Sequence, residues 1–350
     1  MGIEKILSEN PCSVAYAYRF SWRKFLILRK YVRNIKIRPI SKIQNLPANA
    51  LVFVWGGTEV SVTPEQAIKI IRVEDGFLRS VGLGVDLVRP LSWSFDDIGI
   101  YFDSTRPSRL EQTIQTVDLT ETQLERAKSL LTSILALGVT KYNTHSKNTW
   151  QPPINQKSVV LVIGQVETDA SVRLGSPIIQ SNLALIQAVR QNRPEAYIVY
   201  KPHPDVEAGV RQGGEDAAHA QYYDEKIIDV SLLEAIKCVD EVHVLTSLAG
   251  FEALIRGKQV YCYGQPFFAG WGLTFDRYPV CRRKLTKTIE GLVYSALIEY
   301  PDYYSFQNGR LMSVEEAIES LSKMHISKNQ NNFWKTLVRG FYKLKANIKM

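Results

Sequence analysis

The chain has 350 residues, a formal net charge of +8 and 45% hydrophobic residues. Its length suits two domains of ordinary size, and its composition is that of a globular protein rather than a disordered one. No apolar run approaches the roughly 20 residues that a bilayer crossing needs, and Glu4, Lys5 and Glu9 interrupt any apolar core of a signal peptide. Four widely spaced cysteines (Cys12, Cys238, Cys262, Cys281) argue against a zinc site and a disulfide framework, and suit a reducing cytoplasm.

In chain order, the first feature is a basic run. Arg19 to Arg38 holds eight Lys/Arg and no acid. Its Phe20, Trp22, Phe25, Leu26 and Leu28 fit a core helix with basic neighbours equally well. Residues 51–55 read as a buried strand ending at Gly56-Gly57. A short helix over 65–69 and a strand over 70–73 that runs into Glu74 follow. Helical spacing of Leu and Ile covers 120–138, and the polar stretch 138–156 reads as an interdomain linker.

The second half restarts with the near-continuous apolar run 158–163, typical of a parallel strand buried on both faces. Helix 178–193, strand 196–200, helix 231–237, strand 241–245, helix 249–256 and strand 259–263 complete a β-α alternation. That alternation predicts an α/β fold with a doubly wound, Rossmann-like second domain. The C-terminal 326–350 reads as a tail. Trp334, Leu337, Val338, Phe341, Leu344 and Ile348 recur at helical spacing, and 331–350 carries five Lys/Arg and no acid. A basic amphipathic helix of this kind fits an anionic membrane interface, and the same spacing fits a helix packed on its own domain. With both basic segments set aside, the body is mildly acidic. No motif for nucleic-acid recognition accompanies them, so no nucleic-acid partner is expected.

Three strand-end stations carry candidate chemistry: Glu74-Asp75-Gly76, the Gly164–Ser171 turn with Asp169, and Lys201-Pro202-His203-Pro204. In open α/β sheets ligands bind at the carboxyl ends of strands. Neighbours on a strand face opposite ways, so one of Glu74 and Asp75 is expected to face a cleft. Two carboxylates across a cleft can act as acid/base and nucleophile at an anomeric carbon. Lys201 and His203, held by stiff prolines, can neutralise a departing phosphate. Ser247 opens a helix whose amides suit an anion, and Glu252 near that helix end can take a ribose diol. For each motif alone, turn-forming or surface residues are a competing explanation. No dinucleotide or phosphate-loop glycine motif, Asp-x-Asp clamp or metal-ligand cluster is present.

Five ordered motifs together are specific: Glu74–Ser80, Gly164–Ser171, Lys201–Pro204, Thr246–Leu254 and Tyr263–Thr274. As a set, from about Leu51 to Ala317, they resemble the capsule-polysaccharide β-Kdo transferase family of the KpsC type. The resemblance implies a GT-B-like fold of two Rossmann-like domains with the active site between them, here 1–145 and 155–325. It implies transfer of Kdo from CMP-Kdo, with retention, to a lipid-linked or Kdo-terminated glycan. It implies Asp169 as nucleophile, Glu74 as acid/base with Asp75 as runner-up, and Lys201 and His203 at the leaving phosphate. Ser247, Glu252 and Gln165 would contact CMP, and Arg79 and Arg283 the Kdo carboxylate or an anionic acceptor. No metal or other cofactor is required. The basic tail would bring the protein to the inner face of the cytoplasmic membrane, beside other capsule assembly proteins. Capsule enzymes of this type often carry two such modules in tandem; this sequence carries one. The alternatives are a sialyltransferase-like enzyme using another CMP-sugar and a non-catalytic component of a capsule assembly and export complex.

Overall fold

The computed structural model describes residues 2–82, 88–143, 148–154, 158–207 and 219–327; the basic tail read from the sequence lies outside them. The first half comprises α1 (Gly2–Glu9), β1 (Val14–Tyr18), α2 (Trp22–Tyr31), β2 (Lys36–Ile40), β3 (Leu51–Trp55), β4 (Lys69–Asp75), β5 (Ser92–Asp96), α3 (Arg109–Thr116) and α4 (Glu121–Leu137). The second comprises β6 (Val159–Ile163), α5 (Ala170–Gly175), α6 (Asn182–Asn192), β7 (Tyr197–Lys201), α7 (Pro204–Glu207), β8 (Glu225–Lys226), α8 (Leu232–Lys237) and β9 (Glu241–Val244). It continues through α9 (Leu248–Leu254), β10 (Gln259–Cys262), β11 (Phe275–Asp276), α10 (Ile289–Val293), β12 (Pro301–Tyr304), β13 (Leu311–Met312) and α11 (Val314–Ser327).

The strands form two sheets, ordered β13-β12-β5-β4-β3-β1-β2 and β11-β10-β9-β6-β7-β8. Every described pairing in the second sheet is parallel. Counted from β8, its strands run third, second, first, fourth, fifth, sixth, the order of a doubly wound nucleotide-binding sheet. The order reverses between β6 and β9, and sheets of this order bind ligands at the strand carboxyl ends beside that point. Strand β6 is buried at every position, as its unbroken aliphatic sequence requires.

The first sheet departs from a Rossmann-like expectation. Strands β2, β1, β3 and β4 are parallel, but β5, β12 and β13 are antiparallel. Residues 301–312, assigned from the sequence to the second domain, return to complete this first sheet, and α11 packs on β12 and α4. The expected helix over 65–69 is a single 3-10 turn at Pro64–Gln66, a segment too short to repay α-helix nucleation. Helix α4 agrees with its spacing because its ends are chemically marked. Thr120 and Gln123 form a capping box, and Gly138 takes the left-handed C-cap conformation at φ 60°.

A single apolar core joins the halves. Phe77, which follows the Glu74-Asp75-Gly76 station, stacks on Phe267 of the second half with centroids 4.5 Å apart. Gly264, three residues before Phe267, is packed against backbone. A Cβ there would fall 2.8 Å from the Leu245 carbonyl oxygen and 3.0 Å from that of Gly175. Backbone oxygens yield poorly, so Gly264→Ala is expected to cost about 1–3 kcal/mol, measured by urea unfolding. An unchanged midpoint would show that the packing of this turn is loose.

Candidate active site

All the predicted stations stand at carboxyl ends of strands. Glu74 and Asp75 close β4, Gly164 follows β6, Lys201 ends β7 and Thr246 follows β9. The two carboxylate stations meet at the Gly56-Gly57 turn after β3. Glu74 Oε2 lies 3.0 Å from where a Cβ of Gly56 would sit, and the Ala170 Cβ lies 3.6 Å from the corresponding position on Gly57. Asp169 is the N-cap of the helix that Ala170 begins. Gly56 also needs its left-handed backbone, φ 57°.

The structure separates the two neighbouring acids. Asp75 is pinned: Arg79 Nε donates to it at 2.6 Å and the Trp93 indole at 3.2 Å. Glu74 accepts the Asp75 backbone N–H at 3.0 Å. Burial, then the adjacent Asp75 charge, raise the Glu74 carboxyl to about 7; Lys24, that N–H and Lys141 pull the other way. A carboxyl that titrates near neutrality is suited to general acid/base work. Asp75 therefore holds the loop and tunes its neighbour.

Asp169 accepts from Ser171 N at 2.9 Å and Ser171 Oγ at 2.8 Å, both at Oδ1, which fixes the direction of its carboxylate. Gln165 spends its amide oxygen and nitrogen on Thr246 N (2.8 Å) and Thr246 Oγ1 (3.1 Å). The ligand contact expected of Gln165 is thus a brace between the β6 and β9 loops at the switch point. Ser247 Oγ accepts from Ala249 N at 3.3 Å, capping seven-residue α9 while its O–H can still donate. His203 Nδ1 accepts from Asp205 N at 3.1 Å, which assigns the ring proton to Nε2. Lys201 is buried at the end of β7.

Glu252 is buried and split in role. Its Oε1 accepts the Lys141 N–H at 2.7 Å, while Oε2 has no hydrogen-bond partner among the described residues. Burial raises its pKa, only partly offset by that N–H and by Arg256 and Lys141. A buried acceptor of this kind awaits a donor such as a hydroxyl. Arg79 and Arg283, expected at an anionic group, are committed internally. Arg79 serves Asp75 and Ser80 Oγ; Arg283 serves Glu111 and the carbonyls of Pro266 and Ala269.

Lys141 is the residue that the sequence reading missed, since it lies in the stretch taken as a linker. Burial lowers the pKa of its ammonium, but Tyr142, Tyr101, Asp75 and Glu74 together outweigh that and leave it above the usual lysine value. It is the cation set against the acidic pair, and no spacing rule marks it. Among the described residues no group of three His, Cys, Asp or Glu could hold a metal ion.

Comparison with known proteins gives consistent findings. A family model described as capsule polysaccharide biosynthesis protein matches residues 56–148 and 140–304. The chain is 41% identical over 312 residues to the capsule polysaccharide modification protein LipA of Neisseria meningitidis serogroup B, covering 86% of this chain and 44% of that protein. It is 43% identical over 285 residues to the lipopolysaccharide-processing protein LpsZ of Rhizobium meliloti, covering 78% of this chain and 64% of that one. The chain thus spans about half the length of the curated relatives it matches. Two solved structures from Thermosulfurimonas dismutans are similar over nearly their whole length. The KpsC β-Kdo 2,7 transferase gives a TM-score of 0.74 at 37% identity, covering 89% of this chain and 99% of that one. The KpsC β-Kdo 2,4 transferase gives 0.77 at 29%, covering 90% and 99%.

The raised Glu74 pKa carries a stability signature. Folding raises it from the ordinary glutamate range to about 7, so the native state binds the proton more tightly. Its contribution is complete below the unfolded value and is lost as pH climbs through 7. Glu74→Gln removes the buried charge. The variant is expected to melt with wild type at pH 4.5 and above it at pH 8.5. Parallel melting curves at both pH values would show that Glu74 is not perturbed.

Proposed function

The chain belongs to the capsule polysaccharide biosynthesis family, of the KpsC type, and we propose that it is a retaining β-Kdo glycosyltransferase with a GT-B-like arrangement of its two sheets. The observation that carries this reading is the meeting of the Glu74 and Asp169 stations, from different sheets, across the Gly56-Gly57 turn. The donor is CMP-Kdo and the acceptor a lipid-linked or Kdo-terminated glycan. The similarity to two KpsC β-Kdo transferases supports the donor sugar, and the doubly wound strand order of the second sheet supports a nucleotide there.

The residues divide the chemistry as follows. An Asp169 carboxylate oxygen attacks the anomeric carbon of Kdo, and the bond to the CMP phosphate breaks with its electron pair on the phosphate oxygen. Lys201 and the Nε2–H of His203 take that charge by direct donation. Glu74 then takes the proton of the acceptor hydroxyl, whose oxygen attacks the same carbon and releases Asp169. Two inversions return the β configuration. A Glu74 near neutrality suits that proton transfer. Glu252 Oε2 accepts from a ribose hydroxyl, and Ser247 donates to the nucleotide. Gln165 keeps the Thr246-Ser247 loop in register, and Lys141 faces the negative charge of the sugar carboxylate. No step calls on a metal.

Among the described residues no helix is long and apolar enough to cross a membrane. We place the protein at the inner face of the cytoplasmic membrane, with the basic residues of 331–350 on anionic lipid and other capsule assembly proteins as neighbours.

Incubation of the protein with CMP-Kdo and no acceptor is expected to add one Kdo to its intact mass, and Asp169→Asn is expected to abolish that adduct. CMP release without an adduct would discard Asp169 as nucleophile, and no turnover of any CMP-sugar would discard the transferase. Separately, Glu252→Gln is expected to raise KM for CMP-Kdo about tenfold, equivalent to about 1.4 kcal/mol of lost binding. An unchanged KM would remove Glu252 from the nucleotide site.

A further inference from the structure

We infer that the outer face of α2 docks on an anionic bilayer, as a second membrane contact built into the folded body. The helix buries Phe25, Leu28 and Tyr31. On the opposite face Trp22 is 68% exposed and Leu26 46% exposed, one turn apart on the same side. Arg23 and Arg29 flank that pair and are exposed, as are Arg19, Lys36 and Arg38 nearby in sequence. No acid occurs between Arg19 and Arg38. An indole and a leucine ringed by cations, with no compensating acid in the segment, match the headgroup boundary of an anionic leaflet. There the aromatic ring sits at the interface and the cations meet lipid phosphates.

The adjoining edge strand argues for lipid over a protein sheet. Strand β2 ends the first sheet, and its Lys36, Arg38 and Pro39 are exposed. Charges and a proline on an edge discourage strand addition.

The docked face lies beside the cleft. On the inner side of the same helical turn, Lys24 Nζ sits 3.3 Å from the centre of the Trp55 ring, and Trp55 leads directly into Gly56-Gly57. Lys24 is also a cation acting on Glu74. Docking through Trp22 and Leu26 would thus leave about the width of one helix, with the Lys24 and Trp55 side chains, between the lipid surface and the cleft. That consequence rests on the transferase reading; the docking itself does not.

The test is co-sedimentation of the full chain with phosphatidylcholine vesicles containing about one third phosphatidylglycerol, with no donor or acceptor present. It can therefore fail while the transferase reading stands. Trp22→Ser/Leu26→Ser and Arg23→Glu/Arg29→Glu are each expected to weaken binding about tenfold or more at unchanged melting temperature. Wild type is expected to bind pure phosphatidylcholine far more weakly. Variants that bind like wild type would overturn the inference and leave binding to the rest of the chain. Equal binding to neutral vesicles, or no binding by wild type, would overturn it too and point to a protein partner for this face. If the apolar pair proves unstable, the charge pair decides alone.

Discussion

The strap from Val139 to Asn143 holds the two sheets in one arrangement. The Lys141 carbonyl accepts from both Arg79 N and Ser80 N, at 3.1 and 3.2 Å, and Gly82 N donates to Tyr142 at 2.7 Å. Asn143 returns a bond to the Ser80 carbonyl. On its other side the strap gives its Lys141 N–H to Glu252 and receives Arg256 on the Val139 carbonyl. A buried backbone group must find a partner, so this segment locks the loop after β4 to helix α9. The loop that carries Arg79 and the Glu252 carboxylate are therefore fixed to each other through the main chain of this strap.

That fixation explains how two adjacent acids acquire different chemistry. Asp75 has an arginine and an indole on its oxygens; Glu74 has a backbone N–H from Asp75 itself and its neighbour's charge close by. Burial, and after it the Asp75 charge, push the proton affinity of Glu74 up. The loop that carries Arg79 is held by the strap, so the asymmetry between the pair depends on contacts some distance along the chain. Lys141 limits the effect by setting a cation against both.

Much of this was legible from residue pattern. Strand ends, the second-half alternation and the five ordered motifs follow from local rules: aliphatic runs for buried parallel strands, Leu and Ile spacing for α4 and a capping residue for α9. What escaped was nonlocal. Strands β12 and β13 read as the end of the second domain because nothing in Pro301–Tyr304 names its partner, which is Ser92–Ser94. Lys141 escaped because a polar stretch with few apolar residues looks like a linker until its main-chain bonds are seen. Arg283, outside the five motifs, looked available for an anionic group; here it ties Glu111 to the Pro266–Ala269 turn. The basic run resolved in an intermediate way, with Phe25 and Leu28 turned inward and Trp22 and Leu26 outward.

The Gly56-Gly57 turn shows why the halves must approach so closely. Residue 57 has Leu174 and Phe102 side-chain carbons at 3.1 and 3.2 Å from where a Cβ would lie, with Ala170 just beyond. These atoms belong to the Asp169 helix and to the first-sheet loop beyond β5. A Cβ at 57 would press on Leu174 and Phe102, which would each have to give by a few tenths of an ångström, and so would push on the helix that Asp169 caps. Displacements of about 1 Å are enough to cost catalysis heavily when groups must act on one atom. The same turn continues from Trp55, on which Lys24 rests, so the glycine pair connects the surface helix, the Glu74 carboxyl and the second sheet.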